Sequence, residues 1–286
     1  MPHSAISALP DLGVGLGYRE ELHDGILAHR TAIDWLEIVT DRYLVDPANN
    51  ELLRSLRDSF VVVTHGLEMS IGSDASVDPD YLDAVAAVAD AVDAPWVSDH
   101  LCFTRENGVE LHNLTPVLRT EQKVRTIAAN AQRVQDRLGR PFLLENITYY
   151  LDLPGHLSEA EFITAVLDRC DCGLLLDLNN VVVNAANHGF DPYEFLDALP
   201  LDRVVQVHLA GNLPQGIGGV EVIDGHDAPV GQDVFALLEY LESRQPVRAT
   251  MIERDAHFPD DFIELVDELD RVRTTLVAGG SARSGR

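Results

Sequence analysis

The chain has 286 residues, 46% of them hydrophobic, enough for one large domain with a sizeable buried core. Its 47 acidic residues outnumber 21 basic ones, giving a formal charge of −26, a field that repels nucleic-acid phosphates and speaks against a nucleic-acid partner. No signal peptide or long apolar span stands at the N-terminus, so the expectation is a cytoplasmic protein with no membrane partner, its thiols reduced. Cys102, Cys170 and Cys172 form an odd set without a zinc-type pair, and "CDC" before a strand reads as packing and turn. Lys123 is the single lysine, and adaptation to high salt or a GC-rich genome would each account for that.

In chain order, short apolar runs alternate with amphipathic stretches. The strand candidates are "LGVGLG" (12–17), "AIDWLEIV" (32–39), "FVVVTHG" (60–66), "APWVSDHL" (94–101), "RPFLLENI" (140–147), "CGLLLDLNN" (172–180), "RVVQVHLAG" (203–211) and "ATMIERD" (249–255). Between them, "YLDAVAAVADAVD" and "EQKVRTIAANAQRVQDRL" carry apolar residues at helical spacing, and "FIELVDELDRV" follows the last strand. Eight such units predict an α/β fold, a (β/α)8 TIM barrel over residues 1–276, with a doubly wound open sheet as the alternative. The small, Gly-rich end, residues 277–286, reads as a disordered tail.

What stands at the strand ends carries the chemistry. The third strand ends at His65, the fourth at Asp99 and His100, the fifth at Glu145 and Asn146, and the sixth at Asp177 and Asn180. His208 ends the seventh, Glu253 and Asp255 the eighth, and the loop between those two adds Asp224 and His226. In a (β/α)8 barrel these ends ring one mouth, so residues distant in sequence converge there. Taken singly, a strand-end His is a hydrogen-bonded core residue and an Asp after an apolar run is a turn or helix cap. Taken together, so many acids in one mouth repel one another unless cations intervene. Imidazole with carboxylate suits iron, zinc or manganese, and the ligand number calls for two or three ions with Glu145 as a bridge. Asp177 and Asn180 face one cluster if the backbone curls after the sixth strand, while Asn179 and Asn184 satisfy backbone groups or support the ligand side chains. "NHGFDP" predicts a turn into a helix near Pro192 capped by Asp191, with His188 structural.

The motifs "THGLEMSIGS", "SDHLCF", "LLENITYYL", "LLLDLNNVVVNAANHGFDP", "VVQVHLAG", "DGHDAPV" and "IERD", preceded by "LGVGLGYREELHDGIL" and "DWLEI", resemble the multinuclear non-heme iron-dependent oxidative enzymes. That family includes the oxidase of methanobactin biosynthesis and relatives that modify cysteines in ribosomally made peptides. The resemblance covers nearly the whole chain, with the motifs in order, and implies a xylose-isomerase-like barrel. It implies His65, His100 and Glu145 as ligands of one iron, Glu145, Asp177, His208 and Glu253 around a second, and Asn180, Asp224 and His226 at a third, labile site. It further implies a mixed-valent Fe(II)/Fe(III) centre, O2 as co-substrate, a cysteine-containing precursor peptide and a separate leader-binding partner protein. Asp255 is the candidate general base for amide deprotonation, with a hydrogen bond orienting His208 or His226 as its plainer role. The ligand order also resembles a trinuclear zinc endonuclease that has histidine at the position of Asn180, and relatives often carry an aromatic residue at that of Arg254.

Three alternatives share the barrel. A zinc or manganese phosphodiesterase would clamp phosphate between ions, but the acidity and the absence of a basic aromatic groove argue against a DNA substrate. A sugar isomerase would call for a catalytic lysine, and Lys123 falls in a predicted helix. The last is a non-catalytic metal-binding protein.

Overall fold

The computed structural model describes residues 4–153, 155–213 and 222–284. Eight parallel strands close into a barrel: β1 (Gly13–Gly17), β2 (Trp35–Val39), β3 (Val61–His65), β4 (Val97–His100), β7 (Phe142–Glu145), β8 (Gly173–Asp177), β9 (Val204–Leu209) and β10 (Ala249–Ile252). The pairing order β1-β10-β9-β8-β7-β4-β3-β2 is the predicted chain order wrapped into a ring. Strands β5 (Phe103–Glu106) and β6 (Val109–Thr115) form a separate antiparallel hairpin inserted after β4.

Helices follow the strands: α1 (Ser4–Ser7), α2 (His23–Ala28), α3 (Glu51–Ser59), α4 (Pro79–Ala91), α5 (Glu121–Leu138), α6 (Glu159–Leu167), α7 (Leu178–His188), α8 (Pro192–Asp197), α9 (Gln232–Arg244) and α10 (Ile263–Ser284). Their starts are chemically marked: Asn50, Asp78, Thr120 and Asp191 each accept backbone N–H groups of the first turn, and Ser158 with Glu161 forms a capping box on α6. Among the described residues no helix is long and apolar enough to cross a membrane.

Period-2 alternation, broken only in β9 where a register shift against β8 puts Val205 inward and Val207 outward, sorts the named strand residues into two cores. Outward residues such as Leu36, Ile38, Val62, Leu144, Leu174, Leu176, Val207 and Ile252 pack under the helices. Inward residues stack in layers along the barrel axis. The floor is apolar, with Trp35, Val63, Trp96, Leu143, Leu175, Val205 and Met251 closed from below by Ile6 and Leu9. Above it, the next inward positions are polar, and the strand ends carry the imidazoles and carboxylates. Strand β1 carries glycine at position 15 because the ring of Trp35 fills the space: a Cβ on Gly15 would lie 2.4 Å from Trp35 Cε2.

Two expectations need correction. The sixth strand does not continue to Asn180, because the Asp177 side chain accepts the Asn180 N–H and starts α7 at Leu178. Residues 277–284 are helical, in place of a disordered tail, because α10 packs on α9: Gly279 lets the backbones approach, and Arg283 Nη1 pairs with Glu242 Oε1 at 2.8 Å.

Substituting Gly15→Val forces a branched side chain into Trp35, and the expected cost is about 1–3 kcal/mol of stability, read as a lower urea midpoint. An unchanged midpoint would contradict the layered floor.

Candidate metal centre

The register of the barrel assembles the mouth. His100 lies opposite Glu145 on the neighbouring strand, and Asp177 lies opposite His208. His65 closes β3 beside Ser98, and Glu253 follows β10 directly. Three groups result, each with donor atoms within 4.8 Å of one another: His65, His100 and Glu145; Glu145, Asp177 and His208; Asp177, His226 and Glu253. Glu145 and Asp177 are shared between groups, and all of these side chains are buried or nearly so.

The first group is the tightest. His65 Nε2 and His100 Nε2 stand 3.2 and 3.3 Å from Glu145 Oε2 and 3.3 Å from each other. Donors about 2.1 Å from one ion are separated by roughly 3.0–3.4 Å in octahedral or tetrahedral shells, so this triangle has the dimensions of a coordination face. Glu145 turns its other oxygen, Oε1, to His208 Nδ1 at 3.3 Å. One carboxylate thus presents an oxygen to each of two groups, as a bridging ligand must. Glu253 Oε2 lies 3.2 Å from both His208 Nδ1 and His226 Nδ1, and His226 Nε2 is 2.8 Å from Asp224 Oδ1 and 3.8 Å from Asp177 Oδ2.

Burial leaves several of these atoms unsatisfied. Glu145 Oε2, Asp177 Oδ2, His208 Nδ1 and His226 Nε2 are buried without a hydrogen-bond partner, although each lies close to an oppositely polar atom. An orphaned buried polar atom costs about 1–3 kcal/mol, so four of them converging on one space mark a place built for something else. Divalent cations fit: they satisfy imidazole nitrogen and carboxylate oxygen together and cancel the local charge. The donor set contains no thiolate, all three cysteines being buried elsewhere, which suits iron, manganese or zinc.

Polar residues beneath the mouth fix the imidazoles. Ser98 Oγ lies 2.9 Å from His65 Nδ1, which directs Nε2 inward. Trp96 Nε1 donates to Gln206 Oε1, so the Gln206 amide nitrogen donates to Glu37, and Glu37 also lies 3.2 Å from His208 Nε2. His208 Nε2 lies against Glu37 and, at 2.9 Å, against the Gln206 amide nitrogen, so the ring is held with Nδ1 toward the mouth. Arg19 braces the far side: its Nη2 pairs with Glu253 Oε1 at 2.9 Å and with Asp255 Oδ1, and its Nε donates to Asp255 Oδ1 at 2.9 Å.

Electrostatics follow from this packing. Burial pushes the Asp177 carboxyl well above the usual carboxylate range. Burial would depress His208 and His226, but Glu37 and Glu145 around the first, and Asp224 and Glu253 around the second, hold both well above the ordinary imidazole value. Glu253 is held well below its usual range, with His226 and His208 overcoming burial. Burial lowers His65 and takes His100 down to about 4.

Each residue singled out in the sequence can now be placed. His65, His100, Glu145, Asp177, His208, His226 and Glu253 converge as described, with Asp224 at the rim. Asn180 lines the same cavity, but its Oδ1 accepts from the Thr148 hydroxyl at 2.7 Å and its Nδ2 donates to Asn146 O. Asp255 also lines the cavity; its carboxylate pairs with Arg19 and touches neither His208 nor His226, although its N–H donates to His226 O. Burial and Glu253 raise its carboxyl against the pull of Arg19. Asp99 is absent from the cluster and accepts the N–H groups of His100 and Met69. Asn179 Nδ2 donates to Asp224 Oδ1, Asn184 satisfies the Tyr149 and Ile147 backbone, and His188 stacks on Tyr149. Lys123 pairs with Asp74 and Gly72 O on α5, outside the cavity wall. Sequence reasoning missed Glu37 and Arg19: Glu37 occupies an inward position of β2, and Arg19 follows the end of β1.

The mouth opens into a cavity of about 700 Å³ walled by Val39, Leu67, Leu114, Pro116 and the segment Thr148–Leu151. Comparison with known proteins follows the same lines. A family model described as RiPP precursor modification enzyme MbnB/TglH/ChrH matches residues 13–277. A UPF0276 protein of Caulobacter vibrioides is 41% identical over 270 residues, covering 93% of this chain and 95% of the relative. Among solved structures, IOLI protein with a bound zinc atom superposes with a TM-score of 0.63 at 14% identity, covering 93% of this chain and 98% of that one. A xylose isomerase domain protein of Alicyclobacillus acidocaldarius gives 0.60 at 15%, covering 93% and 99%. At these identities the structural neighbours establish a xylose-isomerase-like barrel and nothing about the reaction.

Two outcomes are expected. Glu37→Gln removes the charge behind His208 and should weaken zinc binding at the His208 group by about 10–100-fold, leaving the His65–His100–Glu145 group unaffected; equal loss at both would contradict the assignment. Because Asp177, His208 and His226 hold protons to higher pH than usual in the metal-free protein, an incoming ion must displace them. Apparent affinity should therefore strengthen as pH rises, with proton release visible by calorimetry in buffers of different protonation enthalpy. Binding without proton release would contradict those shifts.

Proposed function

The chain belongs to the family of RiPP precursor modification enzymes described as MbnB/TglH/ChrH, enzymes that act on ribosomally synthesised precursor peptides, and from that premise we propose an iron-dependent, O2-consuming oxidase of peptidyl cysteine. The observation that carries the metal part of this reading is the sharing of Glu145 and Asp177 among three overlapping groups of buried His and carboxylate donors. His65, His100 and Glu145 would hold one iron, and Glu145, Asp177 and His208 a second. Asp177, His226 and Glu253, with Asp224 and Asn180 nearby, would hold a third. Bound iron in two oxidation states supplies a Lewis acid that lowers the pKa of a substrate thiol and the electrons that reduce O2.

The chain's own residues do the rest. Ser98 and Glu37 orient His65 and His208, so the donor atoms are in place before substrate arrives. Arg19 ties Glu253 to Asp255 and holds both carboxylates near each other in spite of their like charge. Asp255, at the cavity wall with a raised carboxyl pKa, accepts the proton of the peptide amide beside the modified cysteine. Apolar walls from Val39, Leu67, Leu114 and Pro116 limit water around the reacting group. A separate leader-binding protein would deliver the rest of the precursor.

Protein purified without oxygen should hold roughly two to three irons per chain and consume O2 only when a cysteine-bearing precursor peptide is present. Asp255→Asn should keep its iron and lose about 10²–10⁴-fold in kcat. Stable zinc with negligible iron after growth in iron-rich medium would instead favour hydrolytic chemistry. Iron-loaded protein inert toward O2 with such peptides would overturn the oxidase.

A further inference from the structure

Arginines in this chain are almost all engaged. Among the described residues, only Arg42 and Arg125 make no side-chain hydrogen bond or ion pair, on a protein whose acids outnumber its bases by 47 to 21. Arg125 is exposed on α5, away from the cavity lining. Arg42 is exposed just past the end of β2 and lines the cavity above the donor groups.

Its lack of a partner has structural causes. The adjacent Asp41 is turned away: Oδ2 accepts the Leu67 N–H at 2.7 Å and Oδ1 the Tyr81 hydroxyl at 2.8 Å. Glu253 and Asp255 are taken by Arg19, and Asp224 by His226 and Asn179. Every acid that lines the mouth with Arg42 is thus bound to another group or belongs to the donor set. Arg19, the other arginine of the cavity, is 5% exposed and has no reach to spare. A guanidinium that the fold leaves free beside a cavity walled by Val39 and Leu67 is poised to take a planar anion from outside, in the paired geometry that carboxylates offer.

We propose that Arg42 is a recognition subsite for a carboxylate of the peptide substrate, carried either by an Asp or Glu side chain near the modified cysteine or by the chain terminus. The assignment rests on the peptide-substrate reading above. It also runs against the net charge of the protein, which by itself would favour a basic peptide: the overall field attracts cations, whereas this one position selects an anion.

The test uses zinc-loaded protein, which binds without turnover, and three synthetic hexapeptides containing one cysteine. One has a free C-terminus and neutral side chains, one is amidated and carries a glutamate near the cysteine, and one is amidated and neutral. Either carboxylate peptide should bind about 10–100-fold more tightly than the neutral one. Arg42→Gln should erase that difference, and Arg125→Gln should keep it. Preference for the first peptide assigns the chain terminus, and preference for the second assigns a side chain. Equal binding of all three, a preference that survives Arg42→Gln, or no binding at millimolar concentration overturns the subsite. Replacing the cysteine by serine separates the two ideas: unchanged affinity for the serine peptides would count against thiol ligation and leave the carboxylate comparison intact.

Discussion

Mutual repulsion among buried carboxylates is the constraint around which this barrel is organised. Glu37, Glu145, Asp177 and Glu253 all lie at or below the mouth, and each is buried. Burying one unpaired carboxylate is costly, and burying several side by side is tolerable only with compensating cations or protons. Imidazoles supply part of the compensation, and Arg19 supplies more. The atoms still left without partners are those that face the shared centre. The apolar floor beneath them excludes water from below, which sharpens the need for ions above.

The supporting layer explains how such a site stays ordered. The chain Trp96 to Gln206 to Glu37 to His208 links one indole N–H to one imidazole through two buried side chains. The indole N–H fixes the orientation of the Gln206 amide, whose nitrogen then donates to Glu37. Likewise, the hairpin after β4 is pinned on its β5 side by Ser70, whose hydroxyl accepts the Thr104 and Arg105 N–H groups. Its other strand contributes Asn113, Leu114 and Thr115 to the cavity wall, so an insertion in one loop shapes the entrance to the centre.

Much of this was legible in the sequence because barrel topology converts strand ends into neighbours. Runs such as "FVVVTH" and "LLLD" announce both a buried strand and the polar residue that terminates it, and six of the seven convergent side chains end a strand in this way, His226 coming from the loop after the seventh. Residues within or just beyond strands were harder to see. Glu37 lies inside "DWLEIV", where a lone acid looks like a solvent-facing position; only the inward phase set by Trp35 shows that it is buried. Arg19 lies two residues past β1, in a run of mixed charge without a pattern. The hairpin carried a signal in Asn107-Gly108, both at positive φ, between short polar strands that lack apolar alternation. The end of β8 lies at Asp177 because its side chain caps the next helix locally, accepting the N–H three residues on, a cap that the apolar run leading into Asn179 and Asn180 masks in the sequence. The helical end from residue 277 depends on contacts with α9 that composition does not reveal.

One buried carboxylate, Glu145, is placed to join neighbouring metal ions in this mouth. Anomalous diffraction at the iron edge, from crystals of protein purified and grown without oxygen, tests it most directly. Two or three peaks about 3.5–4 Å apart, with Glu145 between two of them, would agree with the account. A single peak, or none with Glu145 hydrogen-bonded to the imidazoles, would contradict it.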